Sequence, residues 1–213
     1  MSAIRDDGQE LLALKNVEGL VSLAQASVLE IHAWGATLGN VEKPDGITFD
    51  LDPDSTVEWT DVVAAAFEVK DRLAKVGLSS FVKTTGGKGL HVHVPLKPHA
   101  DWAAAQEFAR ALAQAMSKDS PRKYLATASK QARSGRIFVD YLRNARGATA
   151  VVAYSARARA GATVSTPLDW GELRPDIHSG RFTISNLLHR LSRGDDPWKD
   201  VRRVARRLPS KRP

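Results

Sequence analysis

Residues 47–52 alternate strictly between apolar and polar side chains. A period of two predicts a β-strand that is buried on one face only. Because successive side chains of a strand point to opposite faces, Asp50 and Asp52 share the face opposite Phe49 and Leu51. Two carboxylates on one face repel each other, so the pattern indicates a positive partner between them. A hard divalent cation with oxygen ligands is the usual partner.

Helical and strand-like periodicities continue along the rest of the chain. Apolar residues at helical spacing predict helices over 17–28, 59–76, 101–116 with Asp101 as the cap, 183–191, and a basic C-terminal segment over 197–208. Strand-like runs are predicted at 29–32, 80–85, 90–96 and 137–142, with 148–155 as the hairpin partner of the last and 164–176 as a loop. This order predicts an α+β fold, an antiparallel or mixed sheet with helices packed on one face and the other face left free.

The composition is that of a soluble globular protein, with 43% hydrophobic and 26% charged residues among 213. Without low-complexity tracts or linkers, the chain is predicted to form one continuous domain over 1–213. The absence of cysteine excludes disulfides, a thiol nucleophile and Cys-ligated metal centres. No signal peptide and no run of 18 apolar residues occur, which predicts a cytoplasmic protein with no membrane partner. The net charge of +7 favours an acidic partner, most commonly nucleic acid.

A glycine-rich turn separates the predicted strands 80–85 and 90–96. Its three glycines allow backbone amides to approach phosphate oxygens closely, with Lys88 supplying charge and Thr85 and His91 supplying hydrogen-bond donors. The alternative is a tight hairpin whose glycines only allow positive φ, with Lys88 as a solvated tip. The turn is not a Walker A loop, because a strand rather than a helix follows the lysine.

A third candidate carboxylate, Asp140, lies in the strand-like run 137–142. Its alternative role is a buried ion pair with Arg143. The alternative for residues 50–54 is a strand that runs into an acidic turn, with Asp54 or Ser55 as the cap of the next helix. His91 and His93 form an HxH pair that offers two zinc ligands, but the nearby carboxylates suit Mg²⁺ or Mn²⁺ better. Carboxylates for a metal combined with a turn for phosphate favour phosphoryl or nucleotidyl transfer.

Three ordered motifs resemble the archaeo-eukaryotic primase superfamily, and more narrowly the polymerase domain of bacterial ATP-dependent DNA ligase D. They are FDLDP at 49–53, TTGGKGLHV at 84–92 and FVDYLRN at 138–144. Further matching segments are 28–35, 146–150, 154–159 and 166–170. The resemblance as a whole extends from about residue 12 to residue 191. It implies a primase-polymerase catalytic module of RRM-like fold.

The resemblance also implies residue roles. The catalytic carboxylates that bind Mn²⁺ or Mg²⁺ are Asp50, Asp52 and Asp140. Contacts to the incoming nucleotide are implied for Thr85, Lys88, His91, Arg143 and Arg157, with Thr85 standing where the family often has Ser. Lys130 and Arg133 are further candidates for contact with the nucleotide or the template.

The implied activity is that of a metal-dependent nucleotidyltransferase, a primase-type polymerase that adds nucleotides, preferably ribonucleotides, to DNA 3′ ends in non-homologous end joining. The implied partners are DNA ends or a primer-template, an NTP or dNTP, and the ligase and Ku of the end-joining system, in the bacterial cytoplasm at the nucleoid. The family begins with a substantial N-terminal module, whereas this chain is expected to begin after it, with a short polar leader. The alternative is therefore a truncated, non-catalytic module that binds nucleotide or DNA and acts with a separate ligase or partner chain.

The C-terminal region 197–213 is predicted to be a basic helix followed by a tail. Within it Val201, Val204 and Leu208 have the spacing of a docked helical face, and the arginines that point away are Arg202, Arg203, Arg206 and Arg207. This basic face either contacts a phosphate backbone or is simply solvated.

Overall fold

The computed structural model describes residues 2–6, 9–129 and 131–209. The strands in this part of the chain are β1 (Ser2–Asp6), β2 (Gln9–Ala13), β3 (His32–Ala33), β4 (Gly46–Pro53), β5 (Phe81–Thr84), β6 (Leu90–Pro95), β7 (Tyr124–Leu125), β8 (Ile137–Asp140), β9 (Ala150–Val151) and β10 (Pro167–Leu168). The helices are α1 (Val17–Gln25), α2 (Trp59–Lys75), α3 (Trp102–Asp119) and α4 (Ile184–Leu191). Within the described residues, none of these helices has the length and apolar character needed to span a bilayer.

A six-stranded mixed sheet forms the centre of the fold, in the order β10–β5–β6–β4–β8–β7. Its neighbouring strands are antiparallel, except that β7 and β8 are parallel. Strand β4, which carries Asp50 and Asp52, lies between β6 and β8. Two separate two-stranded ribbons are formed by β1 with β2 and by β3 with β9.

The hydrophobic core lies on one face of this sheet. Phe49 and Leu51 of β4 and Val92 of β6 are fully buried there, against the apolar faces of α2 and α3. The cap predicted for α3 is confirmed, because Asp101 accepts a hydrogen bond from the Ala104 N–H at 2.8 Å. The predicted α+β fold with helices on one face of a mixed sheet is therefore confirmed, and the opposite face is available for a site.

Several strand partners differ from the sequence prediction. Segment 148–155 is not the hairpin partner of β8, because its short strand β9 pairs with β3, where Ala150 lies opposite Ala33. The predicted loop 164–176 contains β10, which pairs with β5 at the sheet edge. The N-terminal region, where a short polar leader was expected, contains β1 and β2, which pair as an antiparallel hairpin. All of these pairings except the hairpin join segments far apart in the sequence, so local periodicity could not indicate them.

The predicted C-terminal helix is also wrong. Residues 197–204 form consecutive turns, and Arg206 then lies in a parallel bridge with Leu96, whose neighbour Lys97 donates its N–H to the Arg206 carbonyl. The predicted division of faces nevertheless holds. The half-buried side chains are Val201, Val204 and Leu208, and the exposed ones are Arg202, Arg203, Arg206 and Arg207. The last four residues of the predicted tail and Lys130 lie outside the described residues.

Candidate functional site

A row of four polar side chains crosses the sheet on the face opposite the core. The strand register places Lys83 of β5 beside His91 of β6, His91 beside Asp50 of β4, and Asp50 beside Asp140 of β8. Asp52 follows two residues after Asp50, on the same face. The alternation of side chains along β4 therefore brings the three predicted carboxylates to one face, next to the strand that begins after the glycine turn.

Asp50 is the most buried of the three carboxylates, with 9% of its surface exposed. Arg143 Nε lies 3.1 Å from its Oδ2, and His91 Nε2 lies 3.5 Å from the same atom. Burial alone would raise the pKa of Asp50, but His91 and Arg143 together lower it to about 2. Asp50 is consequently ionised near pH 7.

Asp140 lies directly across from Asp50 and behaves differently. Its Oδ1 accepts the Leu142 N–H at 2.8 Å, and its Oδ2 lies 3.6 Å from Arg143 Nε. Burial and the neighbouring charge of Asp50 raise the pKa of Asp140. The ion pair that was an alternative role for Asp140 is thus present, but Arg143 shares it with Asp50 and cannot neutralise both carboxylates.

Asp52 has its own arginine partner. Arg133 Nη1 lies 2.5 Å from Asp52 Oδ2, and the guanidinium of Arg133 stacks on the ring of Phe138 at 4.4 Å from the centroid. Within the described residues, no three acidic or histidine side chains are gathered closely enough to hold a metal ion as they stand. Oxygen donors on one sheet face nevertheless suit Mg²⁺ or Mn²⁺, provided that arginines now paired with them exchange their partners.

The glycine turn is tightly built. The Thr85 hydroxyl donates to the Gly89 carbonyl at 3.0 Å and accepts the Gly87 N–H at 3.1 Å. Gly86 has a φ of +65°, and a Cβ on Gly89 would lie only 1.8 Å from the Leu51 carbonyl oxygen. These glycines are therefore required by the hairpin itself, as the structural alternative expected, while Lys88 remains exposed at the tip.

An open cavity of about 320 Å³ lies over the turn and the carboxylates. Seven of the eight predicted site residues line it: Asp50, Asp52, Thr85, Lys88, His91, Arg143 and Arg157. The eighth, Asp140, adjoins Asp50 across the strand pair. Residues from four distant segments thus meet around a single cavity, which is lined by both carboxylates and cations.

His32 and Arg159 also line this cavity, although neither was predicted to be a site residue. His32 Nε2 lies 2.6 Å from Glu30 Oε1, and Glu30 also pairs with Arg157 at 3.0 Å. The hydrogen bond with His32 and the contact with Arg157 lower the pKa of Glu30 to about 2. Both missed residues lie in segments that matched the family, but only the folded chain shows that these segments meet.

The two histidines of β6 face different surroundings. His91 faces Asp50, whereas the ring of His93 stacks on Trp198 with centroids 5.4 Å apart. Burial, assisted by the positive charge of Lys83, lowers the pKa of both histidines to about 4, so both are neutral near pH 7. No third ligand joins them in the described part of the chain, so the zinc alternative gains no support.

A larger cavity, about 730 Å³, lies beside α4. Its charged side chains are largely paired with one another, as in the ion pairs Arg190–Glu172 at 2.6 Å and Lys199–Asp195. It contains none of the predicted site residues. Volume alone therefore does not identify the functional site, and the smaller cavity over the sheet is the better candidate.

Comparison with known proteins identifies similar sequences and a similar fold. Residues 2–198 match the family described as LigD, primase-polymerase domain. The multifunctional non-homologous end joining protein LigD of Pseudomonas aeruginosa is 40% identical over 200 residues, which cover 93% of this chain and 24% of that protein. LigD of Mycolicibacterium smegmatis is 34% identical over 182 residues, covering 84% and 24%. The solved polymerase domain from Mycobacterium tuberculosis ligase D in complex with DNA has a TM-score of 0.86 and 29% identity, covering 96% of this chain and 74% of that chain. The chain spans about a quarter of the length of these curated relatives.

Proposed function

Because the chain belongs to the LigD primase-polymerase domain family, we propose that the cavity over its sheet adds nucleotides to DNA 3′ ends during non-homologous end joining. Membership in the family confirms the resemblance inferred from the three motifs. The observation that carries the proposal is the meeting of Asp50, Asp52 and the glycine turn around one cavity. In such a transfer the 3′ oxygen of the primer forms a bond to the α-phosphorus, the bond to the β-phosphate oxygen breaks, and pyrophosphate leaves.

Asp50, Asp52 and Asp140 would hold Mn²⁺ or Mg²⁺, which supplies Lewis-acid stabilisation of the reacting phosphate and its nucleophile. The fit rests on the chemistry of the donors, three carboxylates on adjacent antiparallel strands. Asp50 is already ionised, since its pKa is about 2. Arg133 is now paired with Asp52, and Arg143 with Asp50. Each arginine must therefore exchange its partner when a cation binds to these carboxylates.

The triphosphate would lie over the turn, against the cations of the cavity. Lys88 and Arg159 are exposed at its rim, and Arg157 is fixed by Glu30 and by a 2.5 Å hydrogen bond to the Thr85 carbonyl. The neutral ring of His91 can donate one hydrogen bond to a phosphate oxygen without adding a positive charge. The Thr85 hydroxyl acts chiefly inside the turn, where it holds the backbone that faces the phosphates.

DNA is the proposed partner on the primer side, in line with the DNA-bound polymerase domain that this chain resembles and with the net charge of +7. Ribonucleotides are the proposed preferred substrates, and a ligase and Ku the proposed partners in joining the extended ends. We place this activity in the bacterial cytoplasm, at the nucleoid. A module that binds nucleotide or DNA without adding nucleotides is the competing outcome.

Extension of a labelled primer-template tests the proposal, with Mn²⁺ or Mg²⁺ and with either NTPs or dNTPs. Asp50→Asn removes a central carboxylate charge, and Asp71→Asn, on the exposed surface of α2, is the matched control. The proposal predicts extension by the wild type and by Asp71→Asn, a loss in Asp50→Asn, and a higher kcat/KM for NTPs. Binding of DNA and nucleotide without extension by the wild type would instead identify a non-catalytic module.

A further inference from the structure

Lys83 is a buried lysine that the proposed chemistry does not use. It lies at the end of the polar row on β5, with 4% of its surface exposed. Burial lowers its pKa to about 7, opposed by the charge of Asp50 and reinforced by that of Arg157. A buried amino group is costly unless it is hydrogen-bonded, so its position calls for a specific role.

The amino group of Lys83 is the start of a buried hydrogen-bond network. Its Nζ donates to the Ser165 hydroxyl at 2.6 Å, and that hydroxyl donates to the Thr84 carbonyl at 3.0 Å. The Ser165 N–H in turn donates to the Ser155 carbonyl at 2.9 Å. Finally, the Ser155 hydroxyl accepts the Ile31 N–H at 2.8 Å. The network therefore ties together three segments of the chain that are remote in sequence.

Each of these segments carries a residue of the cavity one or two positions further on. Thr84 precedes Thr85, Ser155 lies two residues before Arg157, and Ile31 precedes His32. Two more hydrogen bonds join the same segments directly to the glycine turn. Arg157 donates to the Thr85 carbonyl at 2.5 Å, and Thr163 donates to the Gly86 carbonyl at 2.5 Å. These hydrogen bonds hold the glycine turn next to the segment with Arg157, and Lys83 joins them through Ser165.

We propose that Lys83 is a positioning residue for the triphosphate site: through Ser165 it fixes the spacing between the glycine turn and the segment that carries Arg157. This inference rests on the proposed function, since it assumes that the cavity takes a triphosphate. Lys83 itself does not line that cavity and does not touch the reacting groups. Its effect is therefore on the affinity for the polyphosphate rather than on the chemical step.

Titration with ATP and with inorganic tripolyphosphate tests this role without a primer. Lys83→Met keeps an unbranched apolar stem and removes the amino group, and Lys75→Met, on the exposed end of α2, is the control. We expect about a tenfold higher Kd for both probes in Lys83→Met and in Ser165→Ala, the loss of one hydrogen bond to a charged group. Lys75→Met should match the wild type.

The double variant Lys83→Met/Ser165→Ala separates positioning from general damage. If both residues act through one network, the Kd of the double variant is no higher than that of the more affected single variant. In primer extension, the KM for nucleotide should rise while kcat stays within about twofold. Additive losses of affinity, or a fall in kcat at constant KM, would overturn the assignment. If Lys83→Met does not fold, Ser165→Ala decides alone, and a wild-type Kd in that variant overturns it.

The two proposals fail in different ways. A wild-type chain that binds ATP but extends no primer refutes the proposed function, while the affinities of the variants still decide the role of Lys83. A wild-type chain that extends primers, with unchanged ATP affinity in Lys83→Met, overturns only the positioning role. A chain that binds neither ATP nor tripolyphosphate overturns both.

Discussion

Two halves of the same sheet face hold their polar groups in different ways. In the carboxylate half, on β4 and β8, charges are balanced by long arginine side chains, and the side chain of Arg143 is 40% exposed. In the phosphate half, on β5 and the glycine turn, the support is a buried network of hydroxyls, backbone groups and Lys83. The phosphate half is thus built before any ligand arrives, whereas the carboxylate half is balanced by partners that can leave.

This difference indicates where a ligand changes the structure. A triphosphate finds the turn already formed and needs only the exposed side chains of Lys88 and Arg159 to close on it. A cation at the carboxylates must instead displace Arg133 from Asp52 and loosen Arg143 from Asp50 and Asp140. Changes in the carboxylate half should therefore affect catalysis most, and changes in the phosphate half should affect affinity most.

The largest effect is expected from Asp140→Asn. The substitution keeps the shape of the side chain but removes a charge that the proposed metal needs, so nucleotide addition should fall by at least about a hundredfold. Primer extension under single-turnover conditions measures the loss, and Asp71→Asn serves as the control. Full activity in Asp140→Asn would remove this residue from the catalytic set.

Removal of the charge of Asp50 and removal of the charge of Asp140 should have different effects on folding stability. Because the folded-state pKa of Asp50 is about 2, below its usual 3.8, its ionised form stabilises the fold above pH 3.8, and this contribution is lost as the pH falls toward 2. Asp50→Asn should therefore lower the free energy of unfolding at pH 7, by at most about 2 kcal/mol, because His91 is neutral at that pH and only Arg143 still provides a charge. Asp140→Asn should leave it unchanged or raise it, since burial and Asp50 raise the pKa of Asp140. Denaturant unfolding at pH 7 without metal measures both. Equal destabilisation by the two variants would contradict this difference.

In the phosphate half, Lys88→Gln should weaken the affinity for tripolyphosphate by about tenfold, because an exposed cation at the turn is lost while the turn itself is unchanged. Calorimetric titration measures the affinity, and Lys75→Gln is the matched control on the other side of the sheet. The melting temperature of Lys88→Gln should equal that of the wild type. Unchanged affinity would mean that the turn is only structural.

Because His91 and His93 are buried in their neutral form, we expect the free energy of unfolding to fall at acidic pH. The pKa of His93 is lowered to about 4 from 6.5, so the stability that its neutral form confers is present above pH 6.5 and is lost as the pH falls toward 4. His93→Phe retains an aromatic ring against Trp198 and should reduce the slope of the unfolding free energy in this window, by at most about 1.4 kcal/mol per pH unit. An unchanged slope between pH 6.5 and 4 would exclude a role for His93.

The smallest effect is expected outside both halves, in the exposed arginines at 202, 203, 206 and 207. If this basic face contacts a phosphate backbone, each lost contact should reduce the magnitude of the salt slope of DNA binding by roughly 0.7–0.9. Replacement of all four by Gln should leave nucleotide affinity unchanged. An unchanged slope of log affinity against log salt would show that the face is only solvated.

The sequence was sufficient to predict which side chains of a strand share a face of the sheet. Alternation along β4 placed Asp50 on the face opposite Phe49 and Leu51, and the structure confirms that placement. The ion-pair partners of other residues at the site could not be predicted in this way. The pairings Arg133–Asp52 and Arg157–Glu30 join positions separated by dozens of residues, and no local pattern encodes which strands meet. The predicted C-terminal helix failed for a related reason, because helical spacing of Val201 and Val204 also suits a series of turns packed beside the end of β6.

Binding of Mn²⁺, measured by electron paramagnetic resonance with and without tripolyphosphate, tests the central claim most directly. We expect the wild type and Asp71→Asn to bind Mn²⁺ and Asp140→Asn to lose it. All three should bind tripolyphosphate equally in the absence of metal, because the phosphate half is already formed. Equal Mn²⁺ binding by Asp140→Asn and the wild type would contradict the claim that the carboxylates of this sheet face hold the catalytic metal.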